Sequence, residues 1–144
     1  MYKNLTIKHR SLTDKNPQQK IKAKKLVPMD TAEFQRLFAA GERKFTRVEL
    51  IGTDLSGTDL RGTNFQGSNL CNANLTNSNL SGTNLSKADL SGANLSGANL
   101  SWANLSWTNL SWANLNEANL SWAKLSWANL NEANLKGANL IWAT

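Results

Sequence analysis

From Phe45 onward a single apolar residue recurs at every fifth position. It is Phe45, Leu50, Leu55, Leu60, Phe65 and Leu70, then leucine without interruption to Leu140, giving twenty consecutive centres. With the centre written as i, position i−2 is small: Val48, Thr53, Thr58, Thr63, Ser68 and Ala73 early, then mostly alanine from Ala88 to Ala143. Position i−1 is Asp or Asn almost throughout, Glu49 and Lys124 being among the exceptions; i+1 is usually Ser, and i+2 is Gly, Asn, Trp, Glu or Lys. A helix needs a period near 3.6 and a half-buried strand a period of two, so a strict five fits neither. One large and one small inward residue per unit fill a narrow interior. Asn, Asp and Gly between them supply turn chemistry. The pattern predicts a solenoid of stacked five-residue units over residues 45–144.

Just ahead of that run, residues 29–44 read as a short helix. Asp30 stands three residues before Glu33, the spacing of a capping box, and Met29 with Phe34 fits a hydrophobic staple. Phe34, Leu37 and Phe38 make one apolar stripe, and Gly41 is a left-handed stop. So short a helix needs a surface to dock on, and the open end of the solenoid is adjacent.

Units such as SGANL, SKADL, NEANL and KGANL resemble the A-(D/N)-L-x-x consensus of the pentapeptide-repeat family, and the lead-in DTAEFQRLFAAGERKF resembles the capping helix of its short bacterial members. The resemblance implies an all-β fold, a right-handed quadrilateral β-helix with four units per coil, closed at its N-terminal end by the helix. Twenty centres then make about five coils, and at roughly 4.8 Å per coil the rod is on the order of 25 Å long. Thr53, Thr58 and Thr63 depart from alanine, so the early coils are expected to be wider and partly lined by hydroxyls.

The formal charge of +6 changes meaning once divided. Residues 1–28 carry +7, residues 29–44 are neutral and residues 45–144 carry −1. The first segment lacks a sustained period and reads as a disordered basic tail, with Met29 as an alternative start. Its Lys20, Lys22, Lys24 and Lys25 can touch the phosphates of nucleic acid or an acidic membrane surface, against the plainer reading of a solvated tail.

The inventory argues against an enzyme. His9 is the only histidine and lies in the tail, while Cys71, the only cysteine, sits at an outward i+1 position. No metal cluster, nucleophile set or phosphate-binding loop is legible, so no cofactor, metal or small-molecule substrate is expected. Asp54, Asp59 and Asp89 read as backbone caps. A lone cysteine, with neither a signal peptide nor a membrane span, points to the cytoplasm.

Trp102, Trp107, Trp112, Trp122, Trp127 and Trp142 are the individual feature, all at i+2. In a twenty-residue coil Trp102, Trp122 and Trp142 share one column, and Trp107 and Trp127 the next. They form either a stiffening ladder or a binding surface, and the two are compatible. The last unit runs to Thr144, which suggests an end-to-end homodimer through residues 121–144. The leading functional expectation is a non-enzymatic scaffold or protein-interaction module. DNA mimicry directed at gyrase, a mechanism of the family, is disfavoured by the near-neutral body. An ice-binding solenoid is disfavoured by the outward tryptophans.

Overall fold

The computed structural model describes residues 25–144. Lys20, Lys22 and Lys24 lie outside the described residues, and Lys25 is exposed. Among the described residues no helix is long and apolar enough to cross a membrane.

The five-residue units wind into a β-helix whose coil is twenty residues. Four parallel ladders establish it. Lys44, Asn64, Asn84, Asn104 and Lys124 bridge in succession on face 1; Glu49, Asn69, Asp89, Asn109 and Asn129 on face 2. Asp54, Asn74, Asn94, Asn114 and Asn134 form face 3, and Asp59, Asn79, Asn99, Asn119 and Asn139 form face 4. Each face therefore has five rungs, one i−1 residue per coil. Between corners there is room for only one bridged residue, so long strands are absent even though the backbone is paired at every coil.

Backbone bonding repeats with the unit. Leu50 N–H donates to Asn69 O at 2.8 Å and Gly52 N–H to Cys71 O at 2.9 Å. Asn69 N–H donates back to Val48 O at 2.9 Å, and the turn closes with Thr53 N–H on Leu50 O at 3.3 Å. Inside, the centres from Leu50 to Leu120 are buried, each leucine contributing about 1.5–3 kcal/mol of transfer free energy. The hydroxyls at i−2 are turned onto carbonyls: Thr53 Oγ1 donates to Leu50 O at 2.8 Å, Ser78 Oγ to Leu75 O at 2.7 Å and Thr108 Oγ1 to Leu85 O at 2.7 Å. Thr63 Oγ1 is buried with no partner among the described residues.

Two short strands and one helix precede or join the first coil: β1 (Val27–Pro28), α1 (Thr31–Ala39) and β2 (Val48–Glu49). β1 pairs in parallel with β2, and Val27 N–H donates to Arg47 O at 2.7 Å. Order thus begins before Pro28, a correction to the sequence reading of residues 1–28 as one disordered tail. The reason is the edge of the first coil, whose unpaired carbonyl recruits the chain just ahead of the helix.

Helix α1 starts at Asp30, whose Oδ1 accepts Glu33 N–H at 2.8 Å. The capping box is only half formed, because the Glu33 carboxylate binds Arg36 at 2.8 and 3.0 Å instead of reaching back. At the other end Gly41 has φ +98°, with Glu42 N–H on Leu37 O and Gly41 N–H on Phe38 O, both 3.0 Å. That double bond is a Schellman stop. The apolar stripe faces the first coil: Phe34 is 1% exposed, with ring centroids 4.6 Å from Phe45 and 6.0 Å from Phe65.

Candidate interaction surface

Every i+2 residue from Arg47 to Trp142 has φ between 55° and 70°. This left-handed corner suits Gly and Asn and costs a bulky residue about 1–2 kcal/mol. All six tryptophans occupy it nonetheless, at φ 61° to 63°. Because the corner turns outward, the indoles are 46 to 77% exposed.

The twenty-residue coil sorts them into the columns expected from four units per coil. Trp102 stacks on Trp122 at 4.8 Å between centroids and 1° between planes, and Trp122 on Trp142 at 5.5 Å and 22°. Trp107 stacks on Trp127 at 5.3 Å and 14°. Trp112 stands apart: Trp112 N–H bonds Asn131 O, which places Glu132 rather than an indole next in its column. Tryptophan therefore occupies three of the four corners in the last coils, and Ile141, 62% exposed, lies beside Trp142.

The i−1 acids sit where a cap would. Asp54 Oδ1 accepts Ser56 N–H at 3.1 Å, Asp59 Oδ1 accepts Arg61 N–H at 3.2 Å, and Asp89 Oδ1 accepts Ser91 N–H at 2.9 Å. They stand on faces 3, 4 and 2 and do not converge. The Arg61 guanidinium, 2.6 and 2.8 Å from the Asp59 carboxylate, with the Arg61 N–H, holds that carboxyl down at about 2. Asn residues occupy equivalent positions and link coils, as in Asn129 Nδ2 to Asn109 Oδ1 at 3.2 Å. Cys71 is half-buried, its Sγ accepting Ser91 Oγ–H at 3.4 Å. Among the described residues no group of three or more His, Cys, Asp or Glu is placed to hold a metal.

One feature escapes a reading along the chain. Lys44, Arg47 and Lys87 converge with Asn64 and Gln66 around a shallow groove of about 330 Å³ on face 1. Charge summed by segment cancels these cations against distant acids. The signal was their spacing, since Arg47 and Lys87 differ by a multiple of twenty, as do Lys44 and Lys124.

A family model described as pentapeptide repeats matches eight copies over residues 44–77, 73–111 and 113–144, well over half of the chain. A pentapeptide repeat protein from the Arabidopsis thaliana thylakoid lumen is 33% identical with a TM-score of 0.53, the match covering 73% of this chain and 67% of that one. The pentapeptide repeat protein Rfr23 from the cyanobacterium Cyanothece is 34% identical with a TM-score of 0.44, covering 79% and 97% respectively. QnrB1, a plasmid-mediated fluoroquinolone resistance protein, is 21% identical with a TM-score of 0.41, covering 66% of this chain and 62% of that one. No curated protein matches the chain.

Proposed function

This chain belongs to the pentapeptide-repeat family, and from that premise we propose that it is a non-enzymatic scaffold that holds a partner protein on the tryptophan-bearing corners of its last coils. The observation that carries the reading is the set of six indoles at φ near +62° and at least 46% exposed. Each occupies a corner that favours glycine on conformational grounds, and each offers about 150–250 Å² of rigid amphipathic surface. Tryptophan so placed is the residue type that dominates interface energetics.

Within the same proposal, family membership implies a right-handed, four-sided coil, and α1 serves as its N-terminal closure. DNA mimicry fits less well, because face 1 carries Lys44, Arg47, Lys87 and Lys124 where a duplex mimic needs negative potential. The layer of Leu125, Leu130, Leu135 and Leu140, the last of them 40% exposed, supports pairing of two copies end to end through residues 121–144. Light scattering at tens of micromolar tests that pairing, and a monomeric mass removes it.

The scaffold reading is tested by affinity capture with the wild type and with Trp102, Trp107, Trp122 and Trp127 all changed to Ser. Loss of one specific partner, with the β-helical circular dichroism unchanged, is the expected result. Retention of that partner by the variant overturns the proposal.

A further inference from the structure

We propose that face 1 is a binding site for single-stranded nucleic acid, with phosphates held by Lys44, Arg47 and Lys87 and a base stacked on Trp107. The site goes beyond the protein-binding reading, in which those three cations have no part.

Charge is segregated around the rod. From residue 44 to 144 every acid lies on faces 2 to 4 or the corners between them: Glu49 and Asp89 on face 2, Asp54 on face 3, Asp59 on face 4, Glu132 and Glu117 at the corners between faces 2, 3 and 4. Face 1 with its two corners holds Lys44, Arg47, Lys87 and Lys124 and no acid. Three acids lie two residues from these cations in sequence: Glu49 after Arg47 and Asp89 after Lys87, both on face 2, and Glu42 before Lys44, whose carboxylate accepts the N–H groups of Arg43 and Lys44 at 2.8 and 2.7 Å. Among the described residues none of the four cations has an acidic partner within salt-bridge distance, whereas Arg61 on face 4 is paired with Asp59.

These cations also displace residues the repeat prefers. Arg47 and Lys87 sit at φ 56° and 59°, where Gly or Asn is at ease, and Lys44 stands in an Asn ladder. Local rules broken without a local return are the mark of a functional site. Arg47 lies across the next coil, its Cγ 3.4 Å from where a Cβ on Gly67 would stand, which brings it toward Lys87.

The column then changes character. Arg47, Gly67, Lys87, Trp107 and Trp127 follow one another at one corner, a coil apart, or about 4.8 Å. Trp107 stacks on Trp127, so its other ring face looks back along the column toward Lys87, and no ring or cation covers it among the described residues. Cations that track a phosphate backbone beside an aromatic platform are the arrangement that binds single strands. The floor of the face is Asn64, Gln66, Asn84, Asn104 and Ser106, polar groups beside which a nucleotide can lie, and the apolar area of the face is confined to its corners, chiefly the tryptophans there. A duplex keeps its bases stacked and leaves Trp107 nothing to stack on.

Fluorescence anisotropy of the full chain with a labelled oligothymidylate of about a dozen nucleotides tests the site. The variant Lys44→Asn, Arg47→Gly, Lys87→Gly moves all three positions toward the preferences of the repeat, so its circular dichroism should be retained; Lys87→Gly alone is the milder control. The triple variant is expected to bind at least about 10-fold more weakly, with the salt slope flatter by about 2, since each phosphate contact on a single strand contributes about 0.7. Trp107→Ser is expected to weaken binding by about 5-fold or more and to remove part of the tryptophan quenching. Unchanged affinity and slope in the triple variant overturn the proposal. Equal affinity for a duplex, insensitive to Trp107→Ser, overturns it also, as does binding to phosphatidylserine vesicles without binding to the oligonucleotide.

Discussion

The indole rings of Trp102 and Trp122 stack on successive coils with their centroids 4.8 Å apart and their planes within 1° of parallel. The coil rise sets the spacing, and parallel rings with centroids that far apart touch only when they are offset, an arrangement that aromatic pairs prefer. An aromatic pair contributes about 0.5–1.5 kcal/mol, while each left-handed tryptophan costs about 1–2 kcal/mol. Three stacked pairs contribute about 1.5–4.5 kcal/mol against about 5–10 kcal/mol for the five left-handed tryptophans that make them, so the ladder does not offset its own strain and leaves exposed indole surface that folding does not explain.

Trp112 isolates the strain from the stacking. It has φ 62°, is 69% exposed and has no stacked partner among the described residues. Trp112→Gly is expected to leave the melting temperature unchanged or raise it. Trp122→Gly removes two stacked contacts and should be worse than Trp112→Gly by about 1–3 kcal/mol. Parallel thermal melts check this; equal effects at the two positions would show that stacking contributes nothing.

How much of this was legible in the sequence depends on which spacing carries the information. Leu50 to Leu120 follow from the period of five, and the pairing of Trp102 with Trp122 from the four units per coil that the family resemblance implied, because a solenoid converts sequence distance directly into position. Gly41 as a helix stop was legible for a local reason, its backbone freedom. The pairing of Val27 with Val48 was not, since a two-residue strand on a coil edge leaves no periodic trace. Nor was the preference of Glu33 for Arg36 over the helix start, which turns on side-chain competition. The face-1 cations were recoverable only by sorting charges by coil position.

Lys124 interrupts the Asn ladder of face 1. Elsewhere an Asn Oδ1 accepts the N–H two residues on, as Asn104 does from Ser106 at 3.1 Å, and a lysine has no acceptor to offer Ser126. Lys124→Asn is expected to stabilise the protein by about 1 kcal/mol and to slow amide exchange at Ser126. Unchanged exchange there would argue that water already serves that amide.

Thr63 carries the buried hydroxyl without a partner. Thr63→Val keeps the shape and removes the desolvated group, and is expected to stabilise by about 1 kcal/mol. The same change at Thr53, whose hydroxyl bonds Leu50 O at 2.8 Å, should stabilise less or destabilise. Urea melts of the two variants decide it, and the reverse order would contradict the assignment.

The Asp59 carboxyl is held at about 2 by Arg61. A carboxyl depressed in the folded state contributes stability that is present above its ordinary value near 3.8 and is lost as pH falls through 2. Arg61→Gln should raise the Asp59 titration toward 3.8 without altering the coil, as followed by carboxyl NMR shifts between pH 5 and about 1.5. An Asp59 midpoint that does not move would mean that the backbone N–H, and not the guanidinium, sets it. Because both groups are exposed, the effect should weaken with added salt.

Phe34 tests whether α1 closes the solenoid or merely lies beside it. Its ring is 1% exposed and contacts Phe38, Phe45 and Phe65 at centroid distances of 5.4, 4.6 and 6.0 Å. Removing a core aromatic costs about 3–5 kcal/mol when the site cannot collapse. In a stack of coils, each stabilised by its neighbours, a loss at one end should be felt first in the terminal coil and spread inward. Phe34→Ala is therefore expected to lower the melting temperature and to speed amide exchange at Phe45 and Leu50 ahead of Leu95 and Leu100. The β1 pairing should loosen with it, since β1 and α1 join the same first coil. If exchange rises uniformly along the rod, the helix acts on global stability alone; if neither melting nor exchange changes, α1 is no closure and the first coil stands by itself.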